Sequence, residues 1–336
     1  MSRLFWALLG LAAAATLQPA RAETAIRFCT DWVFDGSTGY VLRADANGYF
    51  KDAGLAVTID RGFGAGDPVT KVASGAYDLA LADISALIEF NARHPERPLT
   101  AIMMVYDKSP FSLITLADKN IRTFGDLRGR KIGALANETI TRLFPVLARL
   151  NGFDAGQTTM QYVNGQVRDT LLKAGQVDAV IGFFSTSPLN LESVGVPEDQ
   201  VRVFKYSDYG MDLYGSALIT SAAYAAENPK AVTAFTAALA RSLAETIKDP
   251  ASAIPAVKAR NSLADEKIEL RRLKIVLSDL VVTPYTREHG FGDVDRARLA
   301  REIGFLAEAL ELPGKPSPDS VFTSAFLPDA AKRQVQ

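Results

Sequence analysis

Cysteine and histidine are nearly absent from this chain. Its 336 residues include one cysteine, Cys29, and two histidines, His94 and His289. An internal disulfide is therefore excluded, and no His/Cys spacing suits a metal ion. Cys29, lying next to an apolar strand, reads as core packing. No G-x-S-x-G elbow occurs, and no glycine-rich phosphate loop ending in Lys-Ser or Lys-Thr. The run Gly62-Phe63-Gly64-Ala65-Gly66 lacks the spacing of a dinucleotide motif. The expectation is a protein without cofactor or metal that is not an enzyme. A charge excess is missing as well, with 37 basic against 38 acidic side chains. A nucleic-acid binder would show a basic stripe, so that class is excluded. No apolar run after the N-terminus is long enough to cross a membrane. The Ala-rich stretch Ala231–Ile247 is interrupted by Arg241 and Glu245 and reads as a buried helix.

The N-terminus reads as an export signal. Arg3 precedes the apolar run Leu4–Leu17, and Ala20-Arg21-Ala22 fits a small-x-small cleavage site. Cleavage after Ala22 leaves a mature periplasmic chain that starts at Glu23. Without Arg3 and Arg21 the count is 35 basic to 38 acidic groups, a formal charge of −3. Hydrophobic residues at 48% and charged residues at 22% describe an ordinary globular protein, long enough for two domains.

Two phrases one hundred residues apart carry the organisation. They are Ser74-Gly75-Ala76-Tyr77-Asp78-Leu79-Ala80-Leu81-Ala82-Asp83 and Ala174-Gly175-Gln176-Val177-Asp178-Ala179-Val180-Ile181-Gly182-Phe183-Phe184. Each reads as a helix stopped by glycine, an Asp-bearing turn and a strand apolar on both faces. Asp78 and Asp178 read as turn residues. Around them the chain alternates strands (Ala25–Thr30, Ala56–Ile59, Leu79–Ala82, Thr100–Tyr106, Phe111–Leu116, Lys131–Leu135, Met160–Val163, Ala179–Gly182, Val201–Lys205, Ala217–Thr220) with helices (Gly39–Ala53, Ser85–Arg93, Thr139–Leu150, Val167–Ala174, Pro188–Val194). Another helix starts at Asp67-Pro68, with Asp67 as its N-cap. This alternation predicts parallel βαβ units, and a mostly helical remainder follows.

Several pieces match a known family in order and spacing. They are Asn47-Gly48-Tyr49-Phe50-Lys51-Asp52-Ala53-Gly54-Leu55, Ser74–Asp78, Thr123-Phe124-Gly125-Asp126-Leu127-Arg128-Gly129-Arg130-Lys131-Ile132-Gly133, Gly175–Ala179 and Glu227-Asn228-Pro229-Lys230-Ala231-Val232. The chain resembles the exported solute-binding proteins of ATP-driven importers, in the group handling nitrate, sulfonates, taurine and thiamine-pyrimidine precursors. The resemblance implies an α/β, two-lobed periplasmic-binding-protein fold of type II, each lobe a sheet flanked by helices. Lobe one takes residues 23–115 plus 218–336 and lobe two residues 116–217, with hinges near Leu116 and Tyr214–Ala217. It also implies a monomer that docks on a membrane permease with its ATPase. The resemblance extends to a eukaryotic pyrimidine synthase, whose Cys-rich iron motif is absent here.

Ligands of open α/β sheets sit beyond the carboxyl ends of the strands. That rule selects Asp31, Trp32, Thr38, Tyr40, Gly66, Asp67, Asp83, Ser85 and Tyr106 from lobe one. From lobe two it selects Asn137, Glu138, Thr139, Phe183, Phe184 and Tyr209. Phe183 and Phe184 are adjacent in a strand, so one faces the core and the other the cleft. Helix N-termini on these loops favour an anion. Against that, Asp31, Asp67, Asp83 and Glu138 repel one, and no arginine clusters with them. Trp32, Tyr40, Tyr106, Phe183, Phe184 and Tyr209 offer faces for a flat or cationic ligand. The expected ligand is a flat nitrogen heterocycle, such as a pyrimidine-type vitamin precursor or a flavin. The tail Val321–Pro328 resembles that of the pyrimidine-precursor subgroup. The alternatives are a small anion held at helix N-termini, and a sensor module serving a membrane receptor.

Overall fold

The computed structural model describes residues 23–64, 66–136 and 138–335. The expected export signal, residues 1–22, and Asn137 lie outside them. Ten strands form two five-stranded sheets. The first is ordered β2 (Leu55–Asp60), β1 (Thr24–Cys29), β3 (Leu79–Asp83), β10 (Ser216–Ser221), β4 (Leu99–Met104). The second is ordered β7 (Thr159–Tyr162), β6 (Lys131–Ala134), β8 (Ala179–Phe183), β5 (Phe111–Leu116), β9 (Val201–Lys205). The helices flanking the sheets are α1 (Gly39–Ala46), α2 (Tyr49–Asp52), α3 (Asp67–Ala73), α4 (Ile84–Arg93), α5 (Thr139–Leu150), α6 (Gly165–Lys173) and α7 (Ser187–Ser193). The remainder adds α8 (Ala222–Glu227), α9 (Pro229–Lys248), α10 (Ile254–Arg260), α11 (Glu266–Ile275), α12 (Pro284–His289) and α13 (Arg296–Ala309).

The sheets are not wholly parallel, as the βαβ reading expected. β10 runs antiparallel to β3 and β4, and β5 runs antiparallel to β8 and β9. Both are the strands that follow a crossing between sheets. β5 belongs to the second sheet, so the chain first crosses between Met104 and Phe111, ahead of the expected Leu116. The return crossing lies between Lys205 and Ser216. The two crossing segments are tied together: Tyr106 N–H donates to Ser216 O at 2.9 Å, Gly215 N–H to Tyr106 O at 3.0 Å, and Ser109 N–H to Leu213 O at 2.9 Å. A second difference lies at Gly48, whose positive φ of 73° breaks the expected helix 39–53 into α1 and α2.

The paired phrases have a structural cause. Asp78 accepts from Arg27 N–H at 2.7 Å, and Asp178 accepts from Lys131 N–H at 2.9 Å. Each aspartate thus ties the start of its own strand, β3 or β8, to the neighbouring parallel strand, β1 or β6. Gly75 and Gly175 precede them with φ of 74° and 69°, a conformation that costs glycine nothing. The strands in between are buried on both faces, with Leu79–Asp83 entirely so. This pins each pair of parallel strands, β1 with β3 and β6 with β8, in register.

Candidate functional site

A cleft of about 630 Å³, counted to its open mouth, lies between the two sheets. From the first lobe it is lined by Asp31 and Trp32, which follow β1, by Ser37 and Gly64, and by Tyr106 on the crossing. From the second it is lined by Leu135 and Glu138 after β6, Ile140 and Thr141 on α5, Arg168 on α6, and Ile181–Phe183, Ser185 and Thr186 around the end of β8. The walls are thus largely apolar and aromatic, with a few polar groups converging on them, as small-molecule sites require.

The two carboxylates come from opposite lobes. Asp31 is buried and accepts from Ser216 Oγ at 2.7 Å. Burial raises its pKa above the ordinary value, against the lowering effect of that bond. Glu138 stands at the N-cap position of α5 but makes no side-chain cap bond. It accepts instead from the backbone of Gly66 in the other lobe. Burial pushes its pKa up to about 7, outweighing that bond and the nearby guanidinium groups of Arg142 and Arg168.

Arg168 corrects the expectation that no arginine reaches these loops. It is buried, yet its donors are occupied: Nε bonds Asp169 at 3.0 Å, Nη1 bonds Ile181 O at 3.1 Å and Nη2 bonds Ser187 Oγ at 2.6 Å. Asp169 neutralises it within the same helix.

Three glycines hold the geometry. A Cβ on Gly62 would lie 2.2 Å from Thr30 O and 2.7 Å from Asp31 O. One on Gly64 would lie 2.0 Å from Glu138 Oε1, and one on Gly165 would lie 2.5 Å from Trp32 Cη2. Each glycine leaves room for one site group, so Asp31, Glu138 and Trp32 can all reach the same cleft.

Of the residues selected from sequence, Asp31, Trp32, Tyr106, Glu138 and Phe183 line this cleft. Gly66 and Asp67 line a second, outer space that shares Trp32, Leu135 and Glu138 with it. Gly66, not Asp67, is the N-cap of α3, and Asp67 pairs with Lys71 at 2.6 Å in the first turn. The remaining selections sit elsewhere. Thr38 is buried and donates to Asp35 O at 3.0 Å. Tyr40 is wholly buried in the first lobe's core. Asp83 caps α4 by accepting from Ser85 N–H at 3.0 Å, and Ser85 Oγ donates to Glu302 at 3.2 Å beneath the site. Thr139 turns to Glu89 across the lobes. Phe184 packs in the core under the Lys205 ammonium, 4.0 Å from its ring centroid, while Phe183 takes the cleft. Tyr209 packs edge-on against Phe124.

Sequence reading missed Thr141 and Arg168; Ser37, Ser185 and Thr186 lie on the loops Asp31–Tyr40 and Phe183–Thr186 that it pointed to, without being singled out. Thr141 is the most informative of these. Its hydroxyl oxygen is buried and has no hydrogen-bond partner among the described residues, although it lies in the cleft wall. A buried hydroxyl without a partner carries a desolvation cost that a ligand can offset.

Two sheets joined by a double crossing, with a cleft at the joint, define the periplasmic-binding-protein fold. Residues 37–253 match the family model described as NMT1/THI5 like, so the chain belongs to that family. The riboflavin-binding protein RibY of Chloroflexus aurantiacus is 25% identical over 295 residues, 85% of this chain and 81% of its own. The formylaminopyrimidine-binding protein of Halalkalibacterium halodurans is 25% identical over 273 residues, covering 79% and 80%. The 4-amino-5-hydroxymethyl-2-methylpyrimidine phosphate synthase of Aspergillus parasiticus is 26% identical over 237 residues, 68% of each chain. Among solved structures, the alkanesulfonate-binding protein SsuA of Xanthomonas axonopodis superposes with a TM-score of 0.68 at 15% identity, over 90% of this chain and 99% of its own. The periplasmic nitrate-binding protein NrtA of Synechocystis gives 0.64 at 14%, over 90% and 87%.

Proposed function

We propose that this chain is an exported solute-binding protein that captures a flat nitrogen heterocycle, neutral or cationic, and delivers it to a membrane permease driven by an ATPase. One observation carries the reading. The rings of Trp32, Tyr106 and Phe183 share a cleft with carboxylates from both lobes, Asp31 and Glu138, while Arg168 is already neutralised. Aromatic faces stack on a flat ring and attract cations, worth about 0.5–2 kcal/mol each when desolvated. A carboxylate accepting from a ring amine adds about 1.5–3 kcal/mol. Such contacts plus apolar burial are enough for micromolar affinity, about −8 kcal/mol. The relatives named for riboflavin and formylaminopyrimidine support the same ligand class. The synthase relative raises catalysis, but Cys29, His94 and His289 are not among the cleft-lining residues, and we assign binding alone.

Titration calorimetry tests the assignment. A pyrimidine precursor or a flavin should bind at micromolar concentration or below, and Asp31→Asn and Glu138→Gln should each weaken it about tenfold. Clear binding of taurine, an alkanesulfonate or nitrate, with no heat from any heterocycle, overturns it.

A further inference from the structure

The lobes also meet outside the cleft, through charged side chains. At one contact Glu89, on α4 of the first lobe, accepts from Arg142 Nη2 at 2.5 Å and from Thr139 Oγ1 at 3.4 Å, both on the first turn of α5. At a second, Arg271 on α11 donates through Nη1 to both carboxylate oxygens of Glu192 on α7, at 2.6 and 2.7 Å. Its Nη2 donates to Glu198 at 2.9 Å. A third, longer pair, Lys205 with Asp279 at 3.4 Å, spans the lobes beside the first crossing segment. None of these charged residues is among those lining the cleft.

The polarity alternates from pair to pair. The first lobe contributes an anion at Glu89 and at Asp279 and a cation at Arg271, and the second lobe supplies the opposite charge each time. The lobes are complementary in pattern rather than opposite in net charge, so a shifted docking loses the pairs. The two closer pairs also grip elements that carry cleft wall. α5 bears Ile140 and Thr141, with Glu138 at its N-cap, and α7 begins directly after Ser185 and Thr186. Glu89 is the best shielded of the carboxylates, its side chain 12% exposed, so salt screens its pair least.

We propose that these pairs form an electrostatic latch. They draw the lobes together without touching the ligand, so the closed arrangement is populated before ligand arrives and the ligand selects it. Glu89 and Arg271 are positioning residues: they act on binding only by setting the balance between open and closed.

Distances between spin labels, measured by double electron–electron resonance in the ligand-free protein, separate closed from open molecules. Ala76→Cys and Gln176→Cys are exposed positions in the two lobes and carry the labels, while the native Cys29 is buried. Glu89→Gln and Arg271→Gln should each lower the closed-to-open ratio about threefold at low salt. Raising NaCl from about 0.01 M to about 1 M cuts the screening length from about 30 Å to about 3 Å. The parent should open under that change, and the variant lacking both pairs should respond far less. Arg142→Gln breaks the first pair from the other lobe and reports on it should Glu89→Gln not fold. Glu89→Gln and Arg142→Gln combined should open the protein no further than either alone. Additive opening, a distribution that is the same in parent and variants, or an equal salt response in both overturns the latch. No ligand enters the measurement, so its outcome is independent of the ligand assignment.

Discussion

Gly165 lies directly against the indole of Trp32, so close that a Cβ there would come within 2.5 Å of Cη2. Trp32 belongs to the first lobe and Gly165 opens α6 in the second. This contact therefore exists only while the lobes are together. Gly165→Ala should hold them apart and lower ligand affinity about tenfold or more, a cost of at least 1.4 kcal/mol. The fold itself should persist, because each lobe keeps its own core. The chain has two tryptophans, Trp6 and Trp32. A protein expressed from Glu23 thus has Trp32 as its single indole fluorophore. Ligand should change its emission in the parent, and the variant should require correspondingly more ligand. An unchanged titration curve would show that closure does not need this contact.

Thr141 gives a prediction with two opposed signs. Its buried hydroxyl has no partner among the described residues. Replacing it with valine removes an unsatisfied polar atom at nearly constant shape, which is neutral or stabilising in the free protein. The same change deletes the one cleft hydroxyl that is free to bond the ligand proposed above. Thr141→Val should leave Tm equal or higher and weaken binding about five- to tenfold. Loss of Tm together with unchanged affinity would mean that the hydroxyl serves the fold instead.

How far the sequence carries is clear from particular elements. β5, β9 and α5 fall on the predicted residues, because strong apolar runs and Gly, Pro or Asn punctuation bound them. The direction of β5 and β10 was not legible. A strand buried on both faces reads the same whether it pairs parallel or antiparallel. Trp32, Asp31 and Phe183 were found because they directly follow or end central strands. Arg168 was not. In Val167-Arg168-Asp169 it looks like a solvated helix face, and only the tertiary contact with Gly182 explains its burial. A Cβ on Gly182 would sit 2.8 Å from the Arg168 guanidinium carbon. Tyr209 was misplaced for the opposite reason: its loop position suited a ligand, but an aromatic cluster with Phe124 and Phe204 holds it.

Arg272 joins the lobes from within. Its guanidinium donates to Glu269 at 2.9 Å in its own helix and lies 3.6 Å from Asp35. It also reaches Thr186 O and Asn190 Oδ1 of the second lobe, both at 3.1 Å. Arg272→Met leaves Asp35 and Glu269 buried without their counter-charge, a loss of about 3–5 kcal/mol that urea denaturation would read. Asn190→Ala removes the interlobe arm and, within the second lobe, one bond that Asn190 Nδ2 donates to Asp169 at 2.8 Å, but leaves every buried charge paired. It should cost far less stability and still weaken ligand binding. Equal stability losses in the two variants would refute the division between a folding role and a closure role.

The buried carboxyls set the direction of the pH response. Burial pushes Glu302 up to about 8, with repulsion from Asp83 adding to the shift, and Asp83 up to about 7, with repulsion from Glu138 adding to it. Glu138 rises to about 7 for the same leading cause. Their ordinary values are 4.5, 3.8 and 4.5. Between those limits the folded chain holds protons that the unfolded chain has released. Stability is then complete below the ordinary values and falls as pH rises through 7 and 8. The ligand-free protein should therefore melt about 5 °C or more lower at pH 8 than at pH 5. Glu302→Gln keeps an acceptor for Tyr214 N–H, which now lies 2.9 Å from the carboxylate, and abolishes the titration. Its melting temperature should change less over the same range. A parent protein that gains stability from pH 5 to pH 8 would show that these carboxyls are ionised in the fold, with their charge compensated by groups other than those that now hold them.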